Sequence, residues 1–436
     1  ALDINVNDAG NGIVTTGGGV DLSNSKLTVN VTSPEGTALS IADGSSNITT
    51  IGQNIQLNAA GATALSFTGT AGRTLINNGT IGGDVKFAGN AAQTITNNGT
   101  LSGSLTTGNG NDILTLGAGS KSTGAINLGN GNNQVNIDNG ADIHSVTTGS
   151  GDDIFTLNNL TQGSSYLGDI DSGSGNNTLN FNHSADTLKN ETTLRGFSNI
   201  NLTDSDITLA ADSNISGGTV LLDKNSQLQF GNTFNGILNA SLGHLAAGDG
   251  NAVVSNNAAV TLSKANTFTG NWLIAQGGTL TAGNSNQLDG SSLTVDGTLN
   301  LSGISELNNA LTGSGKLAVD GGGNNFRFGA LTGNAYTGHV QLKNALFSLS
   351  GQNTQSLAHA SLTNSSGTTL TIGNGEQAVG NLDLNGGKTQ FTGDGKIATG
   401  TLNVSSNGII QVDPLLNTAG NLLDADTGTN SQLISS

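Results

Sequence analysis

An eight-residue tract occurs twice in this chain, 20 residues apart. Residues 74–81 read Thr-Leu-Ile-Asn-Asn-Gly-Thr-Ile, and residues 94–101 read Thr-Ile-Thr-Asn-Asn-Gly-Thr-Leu. Similar runs follow at comparable spacing, at 113–116, 135–137, 154–157 and 178–181. Each run alternates apolar with polar residues, as a strand does, and ends at Gly, Asn or Asp, which favour turns. A fixed period of this length, built from short strands and turns, predicts a solenoid.

The composition selects the type of solenoid. Glycine occurs 67 times among 436 residues, hydrophobic residues make up 34%, and aromatic residues only 3%. A leucine-rich repeat would need a leucine framework and often a helix, and a propeller would need longer, aromatic-marked units. We therefore predict an all-β, right-handed parallel β-helix, a rod of roughly 20-residue rungs around a thin aliphatic core. The handedness follows from the general rule for parallel crossovers.

Charge and cysteine content exclude several functions. The formal net charge is −17, and only 13 residues are Lys or Arg, too few for a phosphate-neutralising surface, so we expect no nucleic-acid partner. The chain contains no Cys, which excludes disulfides and cysteine-ligated metals. The five histidines show neither triad nor metal-ligand spacing. We expect no cofactor, no metal and no catalytic residues.

Four turns of related sequence provide the most distinctive local pattern. They occupy 108–112, 129–133, 149–153 and 173–177, and each opens Gly-Asn-Gly or Gly-Ser-Gly before two Asn or Asp residues. Residues one coil apart stack in a β-helix, so these side chains should form a ladder on one edge. The predicted ladder contains Asn109, Asn111, Asp112, Asn132, Asn133, Asp152, Asp153, Asn176 and Asn177.

Three interpretations of this ladder remain open. The side chains can bond to the next rung as a purely structural stack. They can instead form a protein-binding face, on which Asp112, Asp152 and Asp153 meet a basic or polar partner. The Gly-x-Gly-x-Asp pattern is also typical of calcium-binding repeats, but those recur every nine residues, whereas these turns occur once per coil.

The second half of the chain carries a different pattern. Residues 262–270 read Leu-Ser-Lys-Ala-Asn-Thr-Phe-Thr-Gly, residues 275–280 read Ala-Gln-Gly-Gly-Thr-Leu, and residues 295–303 read Val-Asp-Gly-Thr-Leu-Asn-Leu-Ser-Gly. The pattern restarts at 333–338. This run resembles the repeat of AIDA-type autotransporter adhesins of Gram-negative bacteria, in their passenger domains.

The resemblance implies an organisation and a location. Residues 1–400 would form the β-helix passenger domain, and residues 401–436 would lead toward the autochaperone region. The passenger would lie at the bacterial cell surface, exported across the outer membrane after removal of its signal peptide. Its own translocator barrel would belong to the full-length protein, outside this sequence.

The resemblance also implies a function, a non-catalytic adhesin that binds host glycosaminoglycans and fibronectin. Lys316, Arg327 and Lys343 are the candidate glycan-binding residues, because they are the most closely clustered cations of the second half. The alternative for them is isolated solubilising charge. For the whole chain, the alternatives are a self-associating passenger that drives aggregation and biofilm, and, less favoured, a β-helical polysaccharide lyase or hydrolase.

Overall fold

A computed structural model describes residues 1–189, 192–211, 213–288, 290–350, 355–412 and 423–425. It confirms the predicted fold class, because the strands pair in parallel with partners about one coil away. Thr94, for example, pairs with Thr74 of the preceding coil and with Ile113 of the following one. The handedness of the winding stays a prediction.

The chain divides into two compact units, residues 1–221 and 222–436. The composition does not change at this point, since strands and turns of the same kind occur in both units. The predicted boundary at residue 400 falls within the strand Lys396–Ser405 and stays a prediction. Most of the predicted segment 401–436 lies outside the described residues, which end with 401–412 and 423–425.

The strands that begin in the first unit are short, and most contain four to seven residues. They are β1 (Leu2–Val6), β2 (Asn11–Thr15), β3 (Gly18–Leu22), β4 (Leu27–Val31), β5 (Thr37–Ile41), β6 (Ser46–Ile51), β7 (Ile55–Phe67), β8 (Thr74–Asn77), β9 (Thr80–Phe87), β10 (Thr94–Asn97), β11 (Thr100–Leu101), β12 (Leu105–Thr106), β13 (Ile113–Leu116), β14 (Lys121–Asn127), β15 (Gln134–Asp138), β16 (Asp142–Thr147), β17 (Ile154–Asn158), β18 (Tyr166–Asp171), β19 (Asn177–Asn182), β20 (Ala185–Leu188), β21 (Thr193–Arg195), β22 (Phe197–Thr203), β23 (Asp206–Leu209), β24 (Asn214–Ser216) and β25 (Thr219–Leu222).

The second unit continues in the same manner. Its strands are β26 (Gln227–Phe230), β27 (Asn235–Leu238), β28 (Ser241–His244), β29 (Asn251–Val254), β30 (Ala259–Leu262), β31 (Asn271–Ile274), β32 (Thr279–Ala282), β33 (Ser292–Val295), β34 (Thr298–Ser302), β35 (Glu306–Leu307), β36 (Leu311–Thr312), β37 (Lys316–Asp320), β38 (Asn325–Phe328), β39 (His339–Lys343), β40 (Leu346–Leu349), β41 (Ser361–Ser365), β42 (Thr369–Ile372), β43 (Glu376–Asn385), β44 (Lys388–Phe391), β45 (Lys396–Ser405), β46 (Ile409–Gln411) and β47 (Leu423–Ala425). Short 3-10 turns lie at Ser285–Gln287 and Ala330–Thr332.

The core of the first unit consists of inward-facing aliphatic side chains stacked coil upon coil. Ile95 of β10 pairs with Leu114 of β13, which pairs with Val135 of β15, and Leu114 and Val135 are fully buried. Burial of each such side chain stabilises the fold by about 1.5–3 kcal/mol. Because strand residues alternate between two faces, the residues between them point outward. The outward rows carry mostly Thr, Asn, Gln and Ser.

The second unit has the same construction with larger side chains. The stack Leu299, Leu317, Val340, Leu362 runs through β34, β37, β39 and β41. The single Trp, Trp272, is fully buried and sits in register with Ala252, whose small side chain leaves the space that an indole needs. Among the described residues, no helix is long and apolar enough to cross a membrane.

Candidate functional site

The four Gly-rich turns stack as predicted, because backbone contacts link equivalent positions of successive coils. Ser150 and Ser174 form a parallel bridge between the third and fourth turns. Gly131 has φ +100°, and a Cβ atom there would lie 2.4 Å from the carbonyl oxygen of Gly110 in the coil before. Glycine is therefore required by the close approach of the two coils as well as by the turn itself.

One row of side chains from these turns points into the protein, and we name it the inner ladder: Gln93, Asp112, Asn133, Asp153 and Asn177. Each side-chain oxygen accepts the backbone N–H of its neighbour in the preceding coil. The distances from nitrogen to oxygen are 2.8 Å onto Asp112, 2.9 Å onto Asn133, 2.8 Å onto Asp153 and 2.7 Å onto Asn177. The ladder therefore joins successive coils where the turn interrupts the strand pairing.

The inner ladder corrects part of the predicted binding surface. Asp112, Asn133, Asp153 and Asn177 are 0% exposed, so no partner protein reaches them. Their predicted role on a protein-binding face is wrong, because they share strand parity with the core residues that follow, as Asp112 does with Leu114. For these four residues the structure favours the interpretation as a structural stack.

Burial also changes the acidity of the two carboxyl groups in the inner ladder. Removal from water raises the pKa of Asp112, against hydrogen bonds from the Thr107 hydroxyl and the Gln93 amide. Burial likewise raises the pKa of Asp153, because the charged carboxylate is removed from water. Hydrogen bonds from the Asn133 backbone amide and from the side chains of Thr148 and Asn133 oppose this rise in the pKa of Asp153.

A second row from the same turns faces solvent, and we name it the outer ladder: Asn111, Asn132, Asp152 and Asn176. The side-chain oxygens of Asn111, Asn132 and Asp152 each accept the backbone N–H of the next ladder residue, at 2.8 Å in all three cases. All four side chains are exposed. Because these three oxygens are bonded to the backbone, a ligand can reach the amide nitrogens, the second oxygen of Asp152 and the side chain of Asn176.

A third row extends this exposed edge. The oxygen of Asn109 accepts the backbone N–H of Asn130 at 3.4 Å, and the oxygen of Asn130 accepts that of Ser150 at 2.8 Å. Asn109 is exposed, as predicted for a surface position. The predicted protein-binding face thus retains Asn109 and the outer ladder.

The turns do not assemble a set of calcium ligands. Within the described ranges, no group of three or more His, Asp or Glu side chains lies together as a metal site. In both ladders the carboxylate oxygen Oδ1 already accepts a backbone N–H, on Asp112, Asp152 and Asp153 alike. The carboxylates are therefore used as hydrogen-bond acceptors along the stack.

The three candidate cations do not form one groove, so their predicted clustering is wrong. Lys316 begins β37 and Lys343 ends β39, and Lys343 pairs with Asp320 at the far end of β37. The four-residue separation along β37 corresponds to roughly 13 Å. Arg327 lies on β38 in another sheet and pairs with Glu306, with its Nε 2.7 Å from Oε2.

The other arginines are also held by carboxylates. Arg73 is buried, forms an ion pair with Asp43 and lies 5.0 Å from the ring centroid of Phe67. Arg195 lies 3.7 Å from Asp171 and 4.0 Å from Asp169. The three arginines thus lie in three separate places, each beside at least one carboxylate.

A second set of buried asparagines, which the sequence did not predict, lies at the other end of β8 and β10 from the inner ladder. Asn77 and Asn97 are 2% exposed, and the Asn77 amide nitrogen donates to the Asn97 oxygen at 2.9 Å. Both belong to the repeated Asn-Asn-Gly tract, in which Asn78 and Asn98 form a parallel exposed pair at 2.9 Å. The signal was the repeat itself, because identical residues one coil apart are in contact.

Comparisons with known proteins give local similarity only. The chain is 38% identical over 123 residues to the uncharacterized lipoprotein YdeK of Escherichia coli strain K12, which covers 28% of this chain and 9% of that protein. It is 36% identical over 115 residues to the uncharacterized protein YuaQ of the same strain, which covers 26% and 8%. The chain thus spans less than a tenth of either relative. No family model and no solved structure matches it.

Proposed function

We propose that this chain is a non-catalytic adhesin passenger of the AIDA type, displayed at the bacterial cell surface and binding host matrix components. The outer ladder is the observation that carries the proposal. It presents a row of identical amides and one carboxylate at the spacing of stacked coils, about 4.8 Å. A row of this kind offers many equivalent hydrogen bonds to an extended ligand, and many copies per cell add avidity.

Two different faces serve the two proposed ligands. The outer ladder with Asn109 binds fibronectin through amide nitrogens and the Asp152 carboxylate. The sheet face that carries Lys316 and Lys343 binds glycosaminoglycan. Lys316 is the first residue of the five-residue strand β37, and Lys343 is the last residue of the five-residue strand β39. Arg327 is left out of this face because Glu306 neutralises it. The lipoprotein relative YdeK is consistent with a location in the bacterial envelope.

Binding of the purified chain to immobilised fibronectin and heparan sulfate tests the proposal by biolayer interferometry. We expect both ligands to bind the wild type. The double variant Lys316→Gln with Lys343→Gln should bind heparan sulfate more weakly and bind fibronectin as the wild type does. Lys121→Gln is the matched control, since Lys121 is an exposed strand residue in the first unit. Absence of binding to both ligands would overturn the proposal.

Self-association is the second candidate, and two exposed isoleucines in one outward row support it. Ile113 and Ile154 are 38% and 45% exposed, and they occupy the same outward row of one sheet with Gln134 between them. Two such rows packed together would bury isoleucine against isoleucine. Sedimentation of the wild type and of Ile113→Thr with Ile154→Thr distinguishes the cases: a dimer lost in the double variant favours self-association, and a wild-type monomer excludes it.

A further inference from the structure

A hollow of about 240 Å³ lies on the outward face of the sheet formed by β34, β37 and β39. Drug-sized ligands occupy roughly 300–1,000 Å³, so this space suits a single small ring. The polar side chains and the alanine that line it are Asn300, Ser302, Ala318, Asp320, Gln341 and Lys343.

One small residue creates this hollow. The outward row reads Asn300, Ala318, Gln341 on successive coils, so a methyl group stands between two long amides. Neighbouring strands lie about 4.8 Å apart, which places the two amide-bearing backbones roughly 10 Å from each other. The missing side chain leaves a slot one strand wide, with Ala318 as its floor.

The charges at the end of the slot balance. Asp320 and Lys343 lie on adjacent strands, in register, and both side chains are exposed. One oxygen of Asp320 accepts the backbone N–H of Gly322 at 3.0 Å, which fixes the carboxylate in place. Lys343 makes no ion pair among the described residues. The slot therefore presents one acceptor charge and one donor charge, together with the amides of Asn300 and Gln341. The nitrogens of these amides also donate to the hydroxyl groups of Thr281 and Ser365, at 3.5 and 3.4 Å.

We propose that this hollow binds one neutral pyranose ring of a glycan. The apolar C–H face of the ring lies on the Ala318 methyl, and its hydroxyl groups bond to the amides of Asn300 and Gln341 on either side. Asp320 accepts from a hydroxyl and Lys343 donates to one. An uncharged sugar fits because the charges of Asp320 and Lys343, which are in register on adjacent strands, cancel locally. The slot shares Lys343 with the proposed glycosaminoglycan face, so its test changes Ala318 and Asp320 and leaves Lys316 and Lys343 in place.

Saturation-transfer difference NMR with lactose, cellobiose and chitobiose tests the site. Ala318→Gln fills the slot with the side chain that Gln341 already carries one strand away, so the fold should tolerate it. Thr261→Gln is the matched control, because Thr261 lies in the same outward row three strands away from Ala318. We expect at least one disaccharide to give a signal with the wild type and the control, reduced about tenfold by Ala318→Gln.

A second variant guards against misfolding. Asp320→Asn leaves the slot open and keeps an oxygen for the Gly322 amide, but it removes the charged acceptor, so we expect a several-fold weaker signal. The proposal is overturned if none of the three disaccharides binds, or if Ala318→Gln binds as the wild type does.

Discussion

The inner ladder makes a quantitative prediction at Asn133. Replacing Asn133 with Ala removes the oxygen that accepts the buried Asp112 N–H at 2.9 Å. It also removes an amide nitrogen that donates to the carbonyl groups of Gly129 and Gly131, at 3.3 and 3.2 Å. A buried donor left without a partner costs about 1–3 kcal/mol, and each lost hydrogen bond to a carbonyl adds up to about 1 kcal/mol.

These contributions sum to a loss of about 3 kcal/mol in the free energy of unfolding. For a unit of this size, 1 kcal/mol changes Tm by about 2–4 °C, so we expect a decrease of roughly 6–12 °C. Asn132→Ala is the matched control. Its lost oxygen leaves an exposed Asp152 N–H that water can satisfy, and its cost should stay within about 0.5 kcal/mol.

Urea denaturation followed by circular dichroism, with differential scanning calorimetry, measures both variants. Hydrogen exchange provides a local readout, because the Asp112 amide should lose protection in Asn133→Ala and keep it in Asn132→Ala. Equal stability of the two variants would refute the reasoning, since it rests entirely on the difference between a buried and an exposed amide of the same turn.

Three further predictions concern the same unit. Asp153→Asn keeps the oxygen that accepts the Asn133 N–H and removes a buried charge that is destabilised by desolvation, so the free energy of unfolding at neutral pH should rise by about 1 kcal/mol. The raised pKa of Asp153 means that the folded state holds its proton more tightly than the unfolded state. Stability should therefore fall as pH rises from 3.8 through the raised pKa, and thermal melts from acid to neutral pH should show a smaller fall in the variant. Asp43→Asn should cost about 3 kcal/mol in urea denaturation, because it leaves the buried Arg73 guanidinium without its counter-charge; a change below 1 kcal/mol would contradict this. Gly131→Ala should cost about 2 kcal/mol, and an unchanged melting temperature would show that the coils can separate there.

The repeat in the sequence was sufficient to predict the stacking of the coils. Identical tracts 20 residues apart pair residue for residue, as Thr94 does with Thr74, because parallel strands place equivalent positions in contact. The turns aligned for the same reason. The fold therefore followed from periodicity, which requires no knowledge of side-chain direction.

The sequence did not show which turn side chains point into the protein and which point toward solvent. Asp152 and Asp153 are adjacent and chemically identical, but one is exposed and the other is fully buried. Strand parity would have separated them, because Asp153 is two residues before the buried Phe155 and four before Leu157. Both residues were predicted to lie at the surface, because a carboxylate is rarely buried unless it is paired.

The cations were misplaced for a different reason. Lys316 and Lys343 were grouped because they are close in sequence. In a solenoid, however, the distance between two residues also depends on their positions along their strands, and these two lie at opposite ends of paired strands. The pairing of Arg327 with Glu306 required the register of β35 on β38. The hollow at Ala318 also depends on register, because it exists only where a small residue stands between two long ones on neighbouring coils.

One comparison tests most directly whether the inner ladder is structural and the outer ladder binds a partner. Fibronectin binding is measured by biolayer interferometry for Asp152→Asn and Asp153→Asn, two identical changes at adjacent residues. We predict that Asp152→Asn weakens binding about threefold to fivefold, the effect of losing one exposed charge contact, while Asp153→Asn binds as the wild type does. Equal binding by the two variants, or a loss confined to Asp153→Asn, would contradict the account.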